Sequence, residues 1–272
     1  MTRANLPKRP LATKFLRMAA APDARAHLFC FPFAGGSAAV FAGWGEKLQP
    51  GLEVWAAQPR GRGMRFSETP HGSVAEMVQD YLEVLRGHLD LPFAFYGHSL
   101  GGLLALELAQ QLRSEGLPLP RHLFIGASAP PVVGLLHPRI AHLPDEGFVT
   151  AVQERYSGIP ELVLKEPELM EIFLPPLKAD FSAYEAFDRN SVTQVRCPIT
   201  AFAGSDDAVI APNVLQEWHR HTDASFDLRI VPGDHFFLST SVEPVLSTIR
   251  EKMSSTLDGT PVFCQQVGFV ES

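Results

Sequence analysis

Several large classes of protein are excluded by what this chain has little of. It has only three cysteines, Cys30, Cys197 and Cys264. They are far apart, form no C-x-x-C pair and are not clustered with histidines at metal-ligand spacing, so neither a disulfide framework nor a zinc site is expected, and no cofactor is called for. Cys30 and Cys197 stand in apolar, strand-like surroundings and read as core thiols. No apolar run approaches the length of a membrane span, and no apolar segment is followed by a small-residue secretory cleavage site. Internal repeats and low-complexity tracts are missing too. With a formal net charge of -7, nucleic acid is a poor partner. A cytoplasmic, monomeric globular protein is expected.

Positive charge is scarce as well, yet it gathers at the start, where Arg3, Lys8, Arg9, Lys14, Arg17 and Arg25 face only Asp23. An Arg-rich, acid-poor start suits an organelle transit peptide, but Pro7 and Pro10 break the amphipathic helix such a peptide needs. Residues 1–25 are therefore expected to be a basic, solvated extension. The folded domain is expected over residues 26–254, with a loosely held tail over 255–272.

What is abundant is apolar material: 46% of the 272 residues are hydrophobic and 19% charged, enough for a substantial core. Six short runs rich in β-formers read as buried strands: 27–31, 53–57, 93–96, 123–126, 199–202 and 227–231. They alternate with segments of helical period, the signature of an α/β fold with a mostly parallel sheet flanked by helices. Ser73-Val74-Ala75-Glu76 has the form of a capping box, and Val74, Met77, Tyr81 and Leu85 then fall on one helical face. A second helix is expected from about Leu100 to Glu115, ending before Gly116. Between about 135 and 190 the rhythm breaks into Pro-interrupted amphipathic pieces, including 145–156 and 166–173. A helical insertion that caps the site as a lid fits this stretch.

Gly97-His98-Ser99-Leu100-Gly101 matches G-x-S-x-G, directly after a strand and directly before a helix. A sharp strand-to-helix turn needs small residues on both sides of a strained serine, and it leaves Ser99 beside free amides at a helix N-terminus. A serine hydroxyl is a weak nucleophile at neutral pH and needs an oriented base. In α/β hydrolases the order is serine, acid, histidine, the latter two following later strands at the same sheet edge. Gly204-Ser205-Asp206-Asp207 follows one such strand and Gly233-Asp234-His235 the next. His235 is the candidate base. Asp207 is favoured as the acid, and Asp206 stays open. His98 is expected to pack or position, and His219 and His221 to be solvated on a helix after Pro212. Phe31-Pro32-Phe33-Ala34-Gly35-Gly36-Ser37 is a low-bulk loop that can turn an amide toward the substrate oxygen, alongside the amide of Leu100. It lacks the G-K-[ST] ending of a phosphate-binding loop.

These segments, with Gln58, Gly61-Arg62, Arg65, Leu174-Pro175-Pro176-Leu177-Lys178-Ala179-Asp180 and Gly233-Asp234-His235-Phe236-Phe237, resemble the type II, or editing, thioesterases of polyketide synthases and nonribosomal peptide synthetases. The resemblance spans about residues 26–250. It implies an α/β-hydrolase fold, a triad of Ser99, Asp207 and His235, and an oxyanion hole from the backbone amides of Ala34 and Leu100. It also implies a substrate: acyl groups stranded on the phosphopantetheine arm of an acyl or peptidyl carrier protein. Phe33 stands where the family more often has His, Lys178 where it often has Arg, and Pro59-Arg60 alters the usual Pro-Gly-Arg. The rivals are a general carboxylesterase or lipase and a catalytically silent hydrolase-fold binding protein. A malonyl-loading acyltransferase shares Gly-His-Ser-Leu-Gly, but would have an early Gly-Gln-Gly loop and no acid between serine and histidine.

Overall fold

The computed structural model describes residues 13–258. Seven strands form one sheet: β1 Phe15–Arg17, β2 Ala26–Phe31, β3 Leu52–Ala57, β4 Phe93–His98, β5 Leu123–Gly126, β6 Ile199–Gly204 and β7 Phe226–Val231. Their order is β1-β3-β2-β4-β5-β6-β7, and every pairing is parallel except β1 with β3. The helices are α1 Trp44–Lys47, α2 Val74–Leu85, α3 Leu100–Ser114, α4 Asp145–Tyr156, α5 Glu161–Lys165, α6 Pro167–Ala186, α7 Pro212–Gln216 and α8 Val242–Leu257. None is long and apolar enough to cross a membrane.

Strands β2 to β6 are buried and predominantly apolar because both faces are covered, whereas the edge strand β7, with Asp227 and Arg229, is mostly half-buried. Alternate side chains enter opposite layers: Phe29, Phe31, Phe93 and Phe95 pack with α2 and α3, whereas Leu28, Cys30, Ala94 and Tyr96 pack with α1 and α8. At roughly 2 to 3 kcal/mol for each large side chain fully withdrawn from water, these two layers supply most of the gross stabilisation. Cys30 and Cys197 are both buried in them, as expected of core thiols; Cys264 lies outside the described residues.

The six expected strands are present. The seventh, β1, lies in the segment expected to be a solvated extension, which is corrected here: Phe15 is fully buried against Phe29, Phe31 and Tyr81, and Lys14 pairs with Asp80 and Glu83. A three-residue strand with one inward side chain leaves no alternation to detect. At the other end, α8 continues to Leu257, past the boundary placed at 254. The Ser73 cap forms, with its hydroxyl accepting from the Glu76 amide, but the Glu76 carboxylate turns to the Gly72 amide. Within the insertion expected as a lid, α4 has the expected bounds. Helix α6 overruns its expected end at 173 and continues through Pro175 and Pro176. Proline is costly inside a helix, and here the helix is held from the side by packing of Leu177 and Phe181 against Ile140, Phe148 and Val152. Lys178, in place of the usual Arg, ties α6 to Asp145 of α4.

Of the buried histidines, the three held furthest down give the fold much of its pH dependence. Burial holds His98 and His122 down at about 3 and His221 at about 4, whereas an unfolded histidine protonates near 6.5. Their stabilising contribution is therefore complete above pH 6.5 and drains away as pH falls toward the folded values. Glu107 works in the opposite sense. Burial pushes it up to about 7, so the fold keeps a proton that the unfolded chain releases, and it gains stability as pH falls. Three protons less one leave a net uptake of two by these four groups on unfolding, and His27 and His71, also lowered by burial, add to it. Stability should thus fall by roughly 3 kcal/mol per pH unit near pH 5. Urea midpoints between pH 7.5 and 4.5 measure this. Glu107→Gln should steepen the slope by one proton; a flat profile would show that these histidines take up protons in the fold.

Candidate active site

The turn from β4 into α3 carries Ser99 at φ 52°, ψ -115°, a conformation that costs a non-glycine residue about 1 to 3 kcal/mol and persists only where its surroundings impose it. Here they do. The Ser99 amide donates to Gly126 O at 2.8 Å, and Ser99 O accepts from the Gly102 amide at 2.9 Å. A Cβ at Gly97 would collide with the Gly101 backbone, and one at Gly101 with the Phe31 carbonyl. The glycines therefore let the elbow sit on the end of β2.

The loops after β6 and β7 bring the other candidates alongside. His235 Nε2 lies 3.2 Å from Ser99 Oγ, and its Nδ1 lies 3.0 Å from Asp207 Oδ2. Of the two aspartates, Asp207 is the one that faces the imidazole. Its Oδ1 accepts from the amides of Val209 and Ile210 at 2.8 and 3.1 Å, which leaves Oδ2 for the histidine. Burial alone would raise the Asp207 carboxyl, but its bond to His235 and the two amides hold it below the usual carboxylate range. Asp206 is exposed and accepts from the Ser205 hydroxyl.

His98 points beneath the site, as expected of the residue beside the serine. Its Nε2 donates to His235 O at 2.7 Å, and its Nδ1 accepts from the Tyr96 hydroxyl at 3.2 Å. Kept neutral by burial, it holds this single tautomer and supports the backbone that carries the candidate base. His219 is exposed, as expected, but His221 is not. It is buried with Nε2 accepting from the Val132 amide at 3.3 Å, because the chain after α7 tightens into a 3-10 turn that rolls it inward.

Ala34 follows β2 and Leu100 opens α3, so both amides lie at the sheet edge that carries Ser99. Neither is taken up by an acceptor among the described residues. A chamber begins here and runs beneath the helical insertion of residues 135–190, lined by Leu136, Val152, Tyr156, Leu177, Phe181 and Ile210 among others. Aromatic rings crowd the mouth: Phe33 meets Phe236 edge-on at 4.9 Å and His98 at 5.8 Å. Tyr156 meets His235 at 5.5 Å, its phenol pushed up to about 12 by burial and therefore neutral. Sequence reasoning did not single out Tyr156, and met Phe236 only within the Gly233-Asp234-His235-Phe236-Phe237 pattern. It also missed Glu185, whose carboxylate accepts the amides of Ile140 and Ala141 and so ties the loop before α4 to α6. Among the described residues no group of His, Cys, Asp and Glu is arranged to hold a metal ion.

A serine, a histidine and a carboxylate in line at an apolar chamber suit acyl transfer. Comparison with known proteins narrows the field. The family model described as "Thioesterase domain" matches residues 26–253. The chain belongs to that family. Among relatives of this thioesterase, the gramicidin S biosynthesis protein GrsT of Aneurinibacillus migulanus is 36% identical over 218 residues, 80% of this chain and 85% of that protein. The rat medium-chain S-acyl fatty acid synthase thioesterase is 34% identical over 226 residues, 80% and 83% of the two chains. Among solved structures, the type II thioesterase BorB from the borrelidin biosynthetic cluster superposes with a TM-score of 0.79 at 32% identity, covering 89% of this chain and 98% of that one. The fold is that of the α/β-hydrolase thioesterases, as the sequence led us to expect.

Proposed function

We propose that this thioesterase hydrolyses stalled or aberrant acyl groups from the phosphopantetheine arm of carrier proteins, with Ser99 as nucleophile, His235 as general base and acid, and Asp207 as the orienting carboxylate. The observation that carries the reading is the unbroken line from Ser99 Oγ through His235 to Asp207, at 3.2 and 3.0 Å. In the first half-reaction Ser99 Oγ attacks the thioester carbonyl carbon while His235 Nε2 takes its proton. The amides of Ala34 and Leu100 receive the oxyanion, where each such donor is worth on the order of 3 kcal/mol. Collapse breaks the carbon–sulfur bond, and His235 returns the proton to the departing carrier thiol. Water then attacks the acyl-serine, giving its proton to His235, and the acid leaves as Ser99 recovers its hydrogen.

GrsT and BorB belong by their names to gramicidin S and borrelidin biosynthesis, which supports carrier-bound intermediates as the substrates. On this reading the working unit is the domain expected over residues 26–254, extended to include β1 and the end of α8, with residues 135–190 as its lid, acting in the cytoplasm as a single chain that meets its carrier transiently. Matched acyl groups presented as carrier thioesters and as simple oxygen esters test the assignment: the thioester should turn over faster. A strong preference for the ester would favour a general esterase. No labelling of the native protein by a fluorophosphonate would mean a catalytically silent fold.

A further inference from the structure

The loop that presents the Ala34 amide is gripped from the lid. Asp180 lies on α6, 3% exposed, and forms a two-pronged ion pair with Arg62, Oδ2 to Nη1 at 2.7 Å and Oδ1 to Nη2 at 2.9 Å. The same Oδ2 accepts from the Gly35 amide at 2.8 Å. Arg62 Nη1 also donates to Gly36 O at 3.1 Å. The tight turn closed by the Gly36 amide on Phe33 O is thus held at its amide side by Asp180 and at its carbonyl side by Arg62. One turn of helix earlier, Leu177 lies so close to Gly35, at φ +79°, that a Cβ there would come within 2.8 Å of its side chain. From a helix 145 residues away in sequence Asp180 therefore fixes the 34–35 peptide plane, while the Gly36 amide on Phe33 O fixes the 33–34 plane that carries the Ala34 N–H, and Arg62 and Leu177 hold the turn between them.

We propose that Asp180, together with Arg62, is a positioning residue that sets the Ala34 amide, so that hydrolysis requires helix α6 to be seated on the loop. The inference rests on the functional reading above, in which that amide receives the oxyanion. A lid that lifts would carry Asp180 away from Gly35 and leave the turn to relax. Substrate entry and transition-state stabilisation would then belong to different positions of one helix. A bidentate guanidinium–carboxylate pair has the geometric selectivity this needs, since neither partner tolerates a rotation that a point charge would accept.

The test compares Asp180→Asn and Arg62→Met with wild type on a carrier-bound acyl thioester, with active sites counted by fluorophosphonate titration so that misfolded protein is not scored. Expected is a drop of about 10- to 100-fold in kcat per active site with KM nearly unchanged. Affinity for a boronic acid, whose tetrahedral adduct occupies the oxyanion position, should fall in parallel, while affinity for an unreactive acyl amide should not. Lys178→Met, which removes the exposed α6–α4 ion pair but touches no part of the loop, should keep wild-type kcat. If Arg62→Met does not accumulate, Arg62→Lys serves, since it keeps the charge and loses the fork. Unchanged kcat per active site in the Asp180 and Arg62 variants, a loss confined to KM, or an equal loss in Lys178→Met would overturn the proposal. A wild type that is not labelled at Ser99 would instead remove the parent reading, and this inference with it.

Discussion

Asp207→Asn should lower kcat by about four orders of magnitude while the protein stays folded, and Asp206→Asn should leave it near wild type. The asymmetry follows from where the two carboxylates point. Asp207 Oδ2 receives His235 Nδ1–H, and its other oxygen is fixed by the amides of Val209 and Ile210. An asparagine held by those same amides would present its NH2 to the imidazole, forcing the proton onto Nε2 and leaving Ser99 without an acceptor. In a serine protease triad that exchange costs roughly 10⁴-fold in kcat. The carboxylate of Asp206 is engaged by Ser205 at the surface, so its loss removes one exposed hydrogen bond. Burst and steady-state kinetics on a single thioester decide the matter. Equal losses in the two variants, or a larger one in Asp206→Asn, would move the acid to the neighbouring residue.

Alongside Gly97→Ala, Gly101→Ala should be among the most damaging of the small substitutions. The added methyl would run into the carbonyl of Phe31 and, at 2.8 Å, the carbonyl of Pro32. Both neighbours are backbone, one of them the end of a central strand, so no flexible side chain can give way. Overpacking of this kind against backbone should exceed the usual 1 to 3 kcal/mol for an extra methylene and reach roughly 4 or more. Gly116→Ala is the informative contrast. Gly116 ends α3 at φ +65° with nothing within 4 Å of a new methyl, so only the left-handed backbone is strained, at about 1 kcal/mol. Denaturant titration should rank the two accordingly, and comparable midpoints would mean that the elbow relaxes more readily than its contacts suggest.

The chemistry of this chain was more legible than its supports. The serine elbow could be read because glycine on both sides of a serine, between a strand and a helix, has a specific steric cause. The order of Ser99, acid and His235 followed from the parallel sheet. The choice between Asp206 and Asp207 did not, because adjacent aspartates in a turn differ only in which way the backbone throws them. Phe15 and its strand were hidden by brevity. The overrun of α6 was hidden by Pro175 and Pro176, whose local preference is overruled by packing under the lid. Arg62 and Asp180 were visible as part of a family pattern, yet their partnership, across 118 residues, has no local signature at all. Long-range polar contacts are invisible to periodicity, since nothing nearby in the chain depends on them.

The placement of Ser99 after the central strand β4 and of His235 after the last strand β7 also bears on how the protein is made. Ser99 precedes His235 by 136 residues, and the two are joined only when β6 and β7 add to a sheet begun by the earlier strands. A ribosome adding about 5 to 20 residues per second needs on the order of 10 s to cover that interval. Throughout it the emerging polypeptide holds an inert serine. On the proposed mechanism, hydrolytic power is switched on by the last strands to arrive, so a translation product that stops short of them would be inert.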